Sequence, residues 1–181
     1  MRRSSSLANP LILVPLIAGG LLPCLIFLVI HVRRANSQSG LVLKDAVVIS
    51  GRPLPKTDLL ELNGHTVAPA VLQKGKVLLV FFTTDCPACQ KELALLSQVE
   101  SEISDRLKVY DVGVENPKQI ISFSQEHAFT TKFLVDKDAK LMTALSVKYF
   151  PTKFLLEDGV IVKTWFGNSP NRAALFAELG L

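Results

Sequence analysis

The chain has 181 residues, 49% of them hydrophobic, enough for one ordinary domain with a real core plus a modest appendage and too few for two large domains. Its formal net charge of +4 comes wholly from Arg2, Arg3, Arg33 and Arg34, because the remaining basic residues balance the 16 acidic ones. With no basic stripe to track phosphates, nucleic acid is excluded as a partner, and three cysteines cannot staple a small fold as a disulfide framework.

Residues 1–10 form a short tail. Leu11 to Ile30 then reads LILVPLIAGGLLPCLIFLVI without a charge. A helix of that length covers about 30 Å, the thickness of a bilayer core. A transmembrane signal-anchor helix is therefore expected over residues 11–32. Pro15, Pro23 and Gly19-Gly20 are tolerated in such a helix. Ala35-Asn36-Ser37 offers a signal-peptidase site as the rival reading, but the run exceeds a typical signal h-region, which favours retention. Arg2-Arg3 reads as ordinary flanking charge. Cys24 reads as a buried membrane thiol, since Pro23 breaks the lipoprotein pattern. Residues 33–40, polar and unpatterned, are a juxtamembrane linker, and residues 41–181 form the body.

In the body, Asn63-Gly64 between Leu59–Leu62 and Thr66-Val67 reads as a hairpin turn. Lys76 to Phe82 is a short continuous apolar run of the kind that fills a central strand. Past Cys89, Leu93, Leu96, Val99, Ile103 and Leu107 recur at three- and four-residue intervals, one face of a helix. Val109–Val114 reads as a strand, Pro117 to about His127 as a helix opened by proline, and Thr131–Val135 as a strand. Lys140–Val147 is helical in pattern. Thr152–Glu157 and Val160–Phe166 form a hairpin around Asp158-Gly159, and Ser169-Pro170 is expected to cap a last helix with Leu175, Phe176 and Leu179 inward. Strands alternating with helices and ending in a hairpin imply an α/β fold with a mixed sheet.

Cys86-Pro87-Ala88-Cys89 falls at the strand-to-helix junction. Unpaired N–H groups and the dipole at a helix start stabilise a thiolate, the attacking form, and proline suits the first helical position. Cys86 is therefore assigned as nucleophile and Cys89, one turn deeper, as the resolving thiol. Zinc needs four ligands, whereas a second CxxC is lacking and His65 and His127 are isolated, so neither a metal nor another cofactor is expected.

Phe81-Phe82-Thr83-Thr84-Asp85-Cys86-Pro87-Ala88-Cys89-Gln90-Lys91-Glu92 resembles the active-site strand and helix of membrane-tethered thioredoxin-like proteins of the TlpA and ResA type, within the wider redoxin, AhpC/TSA-like superfamily. Tyr149-Phe150-Pro151-Thr152-Lys153-Phe154-Leu155 resembles the segment bearing that family's cis-proline, and the likeness runs from about residue 50 to 168. The resemblance implies a five-stranded thioredoxin-like core with an extra αβ insert after the CxxC helix. It also implies a cis Pro151 beside the disulfide, with Phe150, Pro151 and Thr152 receiving an extended substrate segment by strand addition.

Two positions depart from the pattern. Thioredoxins carry a buried aspartate six residues before the first cysteine, where this chain has Val80, so proton handling at Cys89 must come from elsewhere. Glu92 is the candidate, a solvated helix glutamate the alternative. Asp85 replaces the usual tryptophan and would oppose the Cys86 thiolate.

The expected activity is thiol–disulfide exchange with exported proteins by a single-pass protein of the cell membrane. Its catalytic domain would lie on the exocytoplasmic (periplasmic) side, where disulfides persist, and be served by an unidentified membrane or periplasmic redox partner. Two other functions share parts of this pattern. A peroxiredoxin-like peroxidase matches Thr83 three residues before Cys86, but it lacks that family's arginine near Pro151 and has Leu79 where a proline belongs. A copper-binding module of the Sco type would need three residues between the cysteines and a late histidine.

Overall fold

A computed structural model describes residues 50–181 of the chain. In chain order, β1 (Arg52–Pro53), β2 (Leu59–Glu61) and β3 (Thr66–Val67) lead to the short helix α1 (Pro69–Leu72) and then to β4 (Lys76–Phe82). There follow α2 (Pro87–Ile103), β5 (Lys108–Gly113), α3 (Pro117–Glu126), β6 (Lys132–Val135) and α4 (Lys140–Ala144). The hairpin β7 (Thr152–Glu157) and β8 (Val160–Phe166) and the helix α5 (Arg172–Leu179) complete it. The expected signal anchor over 11–32, its flanks and Cys24 lie outside the described residues. Among the described residues, no helix is long and apolar enough to cross a membrane.

The strands form one eight-stranded sheet in the order β1-β8-β7-β4-β5-β6-β2-β3. The five-stranded core implied by resemblance is thus extended at both edges. The β2–β3 hairpin adds antiparallel to β6, and β1 adds to β8. The chain enters the body through segments short enough to serve only as edges. In the middle, β4 pairs parallel with β5 and antiparallel with β7, which makes the sheet mixed. Six of the seven β4 residues are buried, as a strand covered on both faces demands.

Alternate residues along the strands point to opposite faces. Leu79, Phe81, Val112, Phe154 and Ile161 build one core, under α1 and α4. Leu78, Val80, Phe82, Leu155 and Val135 build the other with Leu93, Leu96, Val99 and Ile103 of α2 and Ile120 of α3. On the α2 side, Val80 is in register with Asp111 of β5 and with Lys153 of β7. A single cross-strand row beneath the active-site helix therefore reads Asp111–Val80–Lys153.

Four local expectations are corrected. The last helix is capped by Asn171, whose side chain accepts from the Ala174 amide at 2.9 Å, rather than by Ser169. Its Phe176 is only half-buried, unlike Leu175 and Leu179. Helix α4 stops at Ala144 because Ser146 adopts φ 54, a left-handed conformation that cannot continue a helix. Leu107 lies past the end of α2, although its side chain is still buried in the same core.

Candidate active site

Strand β4 ends at Phe82, and the chain turns through Thr83, Thr84 and Asp85 before α2 begins. The turn is held from several sides. The Cys86 amide donates to the Thr83 carbonyl at 3.3 Å, and the Thr84 amide donates to Glu115 Oε1 at 2.7 Å. Gln119 Nε2 donates to Thr84 Oγ1 at 2.7 Å. Glu115, in the turn before α3, and Gln119, in its first turn, therefore fix the approach to the nucleophile. Asp85 is exposed to solvent.

Cys86 is the N-cap residue of α2, with Pro87 at the first helical position. Its Sγ accepts from the Cys89 amide at 3.1 Å, so an otherwise unpaired helix-end N–H points at the sulfur. Cys86 and Cys89 are joined by a disulfide, with Cα atoms 5.2 Å apart. Their exposure differs. Cys86 is half-buried and Cys89 is completely buried, so an external thiol or disulfide can meet only the first.

The Phe150–Pro151 peptide bond is cis, and the Phe150 carbonyl oxygen lies 3.7 Å from Cys86 Sγ. The loop before β7 thus presents its backbone to the reactive sulfur. Thr152 is fully buried, and its hydroxyl donates to the Tyr149 carbonyl at 2.6 Å, which ties the loop to itself.

Glu92 is not a solvated helix residue: its side chain is fully buried. Oε1 accepts from Lys153 Nζ at 2.8 Å, and Oε2 accepts from the Ser169 amide at 2.5 Å. Lys153, itself 1% exposed, also donates to Ser169 Oγ at 2.7 Å and to Glu178 Oε2 at 2.6 Å. All three ammonium donors are used, which is what a buried lysine requires. Asp111, the other end of the row across Val80, is also fully buried. Its Oδ2 accepts from the Thr131 hydroxyl and its Oδ1 has no hydrogen-bond partner. Burial pushes this carboxyl up from its ordinary 3.8 to about 7; the Thr131 hydroxyl opposes the rise, while the charges of Glu100 and Glu92 add to it.

Of the residues singled out in sequence, Cys86, Cys89, Phe150 and Pro151 come together, and Glu92 lies one helical turn beyond Cys89. Sequence reasoning missed Lys153, Ser169, Glu178, Asp111, Glu115 and Gln119. A lysine inside the apolar string Phe150–Leu156 was the one available signal, because a strand buried on both faces has no solvent for it. Among the described residues, no cluster of three or more His, Cys, Asp or Glu side chains is arranged to hold a metal.

Fold and cysteine pair together place the chain among the thioredoxin-like thiol–disulfide oxidoreductases. More particularly, it belongs to the AhpC/TSA family, which it matches over residues 50–164. It is 28% identical over 123 residues to the thioredoxin-like protein YneN of Bacillus subtilis, covering 65% of this chain and 72% of that one. It is 34% identical over 105 residues to the sporulation thiol-disulfide oxidoreductase A of the same organism, covering 54% of this chain and 64% of that one. In structure it resembles a putative thiol:disulfide interchange protein DsbE from Chlorobium tepidum, with a TM-score of 0.65 and 20% identity over 74% of this chain and all of that one.

Proposed function

We propose that this chain is a membrane-tethered oxidoreductase that exchanges disulfides with exported proteins on the exocytoplasmic side of the cell membrane. The tether rests on the uncharged run from Leu11 to Ile30, and the side on the stability of disulfides outside the cytosol. The observation that carries the chemistry is the unequal exposure of the bridged pair, with Cys86 half-buried at the helix tip and Cys89 sealed beneath it.

In the reducing direction, the Cys86 thiolate attacks a client disulfide. One client sulfur leaves as a thiolate and the other stays bonded to Cys86. Cys89 then gives up its proton and attacks Cys86 Sγ. The Cys86–Cys89 bond forms, the second client sulfur leaves, and two electrons have passed to the client. The oxidising direction is the same path reversed. Glu92 receives the proton of Cys89, and the backbone at Phe150 and Pro151 aligns the client strand.

Turnover of a protein disulfide and trapping in membranes test this together. Cys86→Ser is expected to abolish exchange. Cys89→Ser is expected to accumulate mixed disulfides between Cys86 and exported clients, recovered from the membrane fraction. Full activity in both variants would refute the assignment, and rapid peroxide consumption with sulfenic acid at Cys86 would replace it with a peroxidase.

A further inference from the structure

The resolving step leaves a problem of access. Cys89 must lose a proton to attack, yet it is completely buried, so the proton has no direct path to water. Resting on the disulfide-exchange reading above, we propose that Lys153, Ser169 and Glu178 form with Glu92 a proton relay. It would connect the buried resolving cysteine to solvent at Glu178 of α5.

The geometry supplies each link. Cys89 and Glu92 are three residues apart on α2, where side chains are neighbours with Cβ atoms about 5–6 Å apart, and both are fully buried. Ser169 Oγ lies 3.1 Å from Glu92 Oε1 and 2.9 Å from Glu178 Oε2. A hydroxyl has one proton to donate, so Ser169 can point it at either carboxylate but not at both. Turning it from one to the other moves the donor from the inner acid to the outer one. Glu178, on α5, has a side chain 25% exposed and is where the chain of hydrogen bonds meets water.

Charge balance says why the lysine is there. Two carboxylates and one ammonium leave the cluster one positive charge short, so it has room for one more proton. Lys153 Nζ touches Glu92, Ser169 and Glu178 alike, so it holds the three oxygens in register and is a positioning residue. The other charged groups facing the cluster are Asp111, across Val80 on β5, and Lys163 of β8, whose Nζ donates to the Glu178 carbonyl at 3.4 Å. Atoms balance through the step. The proton leaving Cys89 Sγ enters at Glu92, Ser169 passes one on, and Glu178 releases one to water, while the displaced client thiolate takes up a proton from solvent.

The experiment mixes the fully reduced protein with a small aromatic disulfide that releases a coloured thiol. The first equivalent of colour reports attack by Cys86, and the second reports resolution by Cys89. Glu178→Gln and Ser169→Ala, mild changes that leave the Lys153–Glu92 pair in place, are expected to slow the second phase about tenfold across pH 6–8. The first phase should stay within about twofold of the unaltered protein. Lys153→Arg should restore most of the rate that Lys153→Met removes, and chemical denaturation of each variant reports its folding separately. If Glu178→Gln and Ser169→Ala are both folded and both keep the second phase, the relay is wrong. If the unaltered protein releases no second equivalent, disulfide exchange itself is wrong.

Discussion

The two faces of the central sheet are built on different terms. The face under α1 and α4 is apolar along β4 and β5, with Leu79, Phe81 and Val112 completely buried and Phe81 meeting Phe154 edge-on at a ring distance of 5.8 Å. Its buried acid, Asp136, sits past the end of β6 and spends both carboxylate oxygens on the Leu141 and Met142 amides at the start of α4. The face under α2 buries Glu92, Asp111 and Lys153, with Glu92 one helical turn from Cys89 and the other two flanking Val80. Burying ions is costly, and an apolar replacement of equal volume is often at least as stable. The charges under α2 are therefore not what an apolar core would select for stability, which accords with the relay proposed for Glu92 and Lys153.

Single truncations on each face should expose the difference most strongly. Phe81→Ala on the apolar face is expected to cost about 3–5 kcal/mol in urea unfolding, a cost that does not vary with pH and that no second substitution across the sheet relieves. Lys153→Met on the charged face should cost a similar amount, about 3–5 kcal/mol, because it leaves Glu92 buried without its partner. Adding Glu92→Leu should recover much of that loss. A double variant that unfolds as easily as Lys153→Met alone would mean that the pair holds the fold together by contacts other than charge.

The next effect is pH-dependent. Asp111 holds its proton more tightly in the folded protein than in the unfolded chain, since burial raises it from 3.8 to about 7. A raised carboxyl favours the folded state at low pH. Stability should fall as pH climbs from about 4 to about 7 and level off above, by something on the order of 2–4 kcal/mol. Asp111→Asn should flatten that slope, measured as unfolding midpoints across the window, and an unchanged slope would move its origin to another group. Smallest of all is Asn171→Ala, which removes the exposed cap of α5 and should cost about 0.5–2 kcal/mol at any pH. A larger loss, or one accompanied by slower exchange, would mean that α5 holds Glu178 in place through its cap.

The errors of sequence reasoning share a cause. Ser169 precedes Pro170 as a helix cap would, yet its amide is taken by Glu92, 77 residues earlier in the chain, its hydroxyl is shared among Lys153, Glu92 and Glu178, and the cap passes to Asn171. Glu92 admitted two readings because a helical pattern says which face turns inward but not what waits there. Val80 was correctly seen to lack the family's aspartate. That its neighbours on both sides would be Asp111 and Lys153 depended on strand order, which no short string of residues contains.

What the sequence by itself determined was everything decided within a few residues of the chain. The apolar run of β4 and the Asn-Gly and Asp-Gly hairpins follow from local conformational preference, as does the proline-led helix that puts Cys86 at its tip. Those are enough for the α/β class and the redox pair, while the thioredoxin-like fold was implied by the resemblance of longer strings to a family. Only the tertiary structure decided how the sulfurs are served. It buried Cys89, brought the Phe150 carbonyl to Cys86, and gathered Glu92, Lys153, Ser169 and Glu178 from four separate segments around one ammonium group. The reason is physical. Hydrogen bonds and charge act over a few ångströms of space, and the fold alone sets which distant residues come within that range.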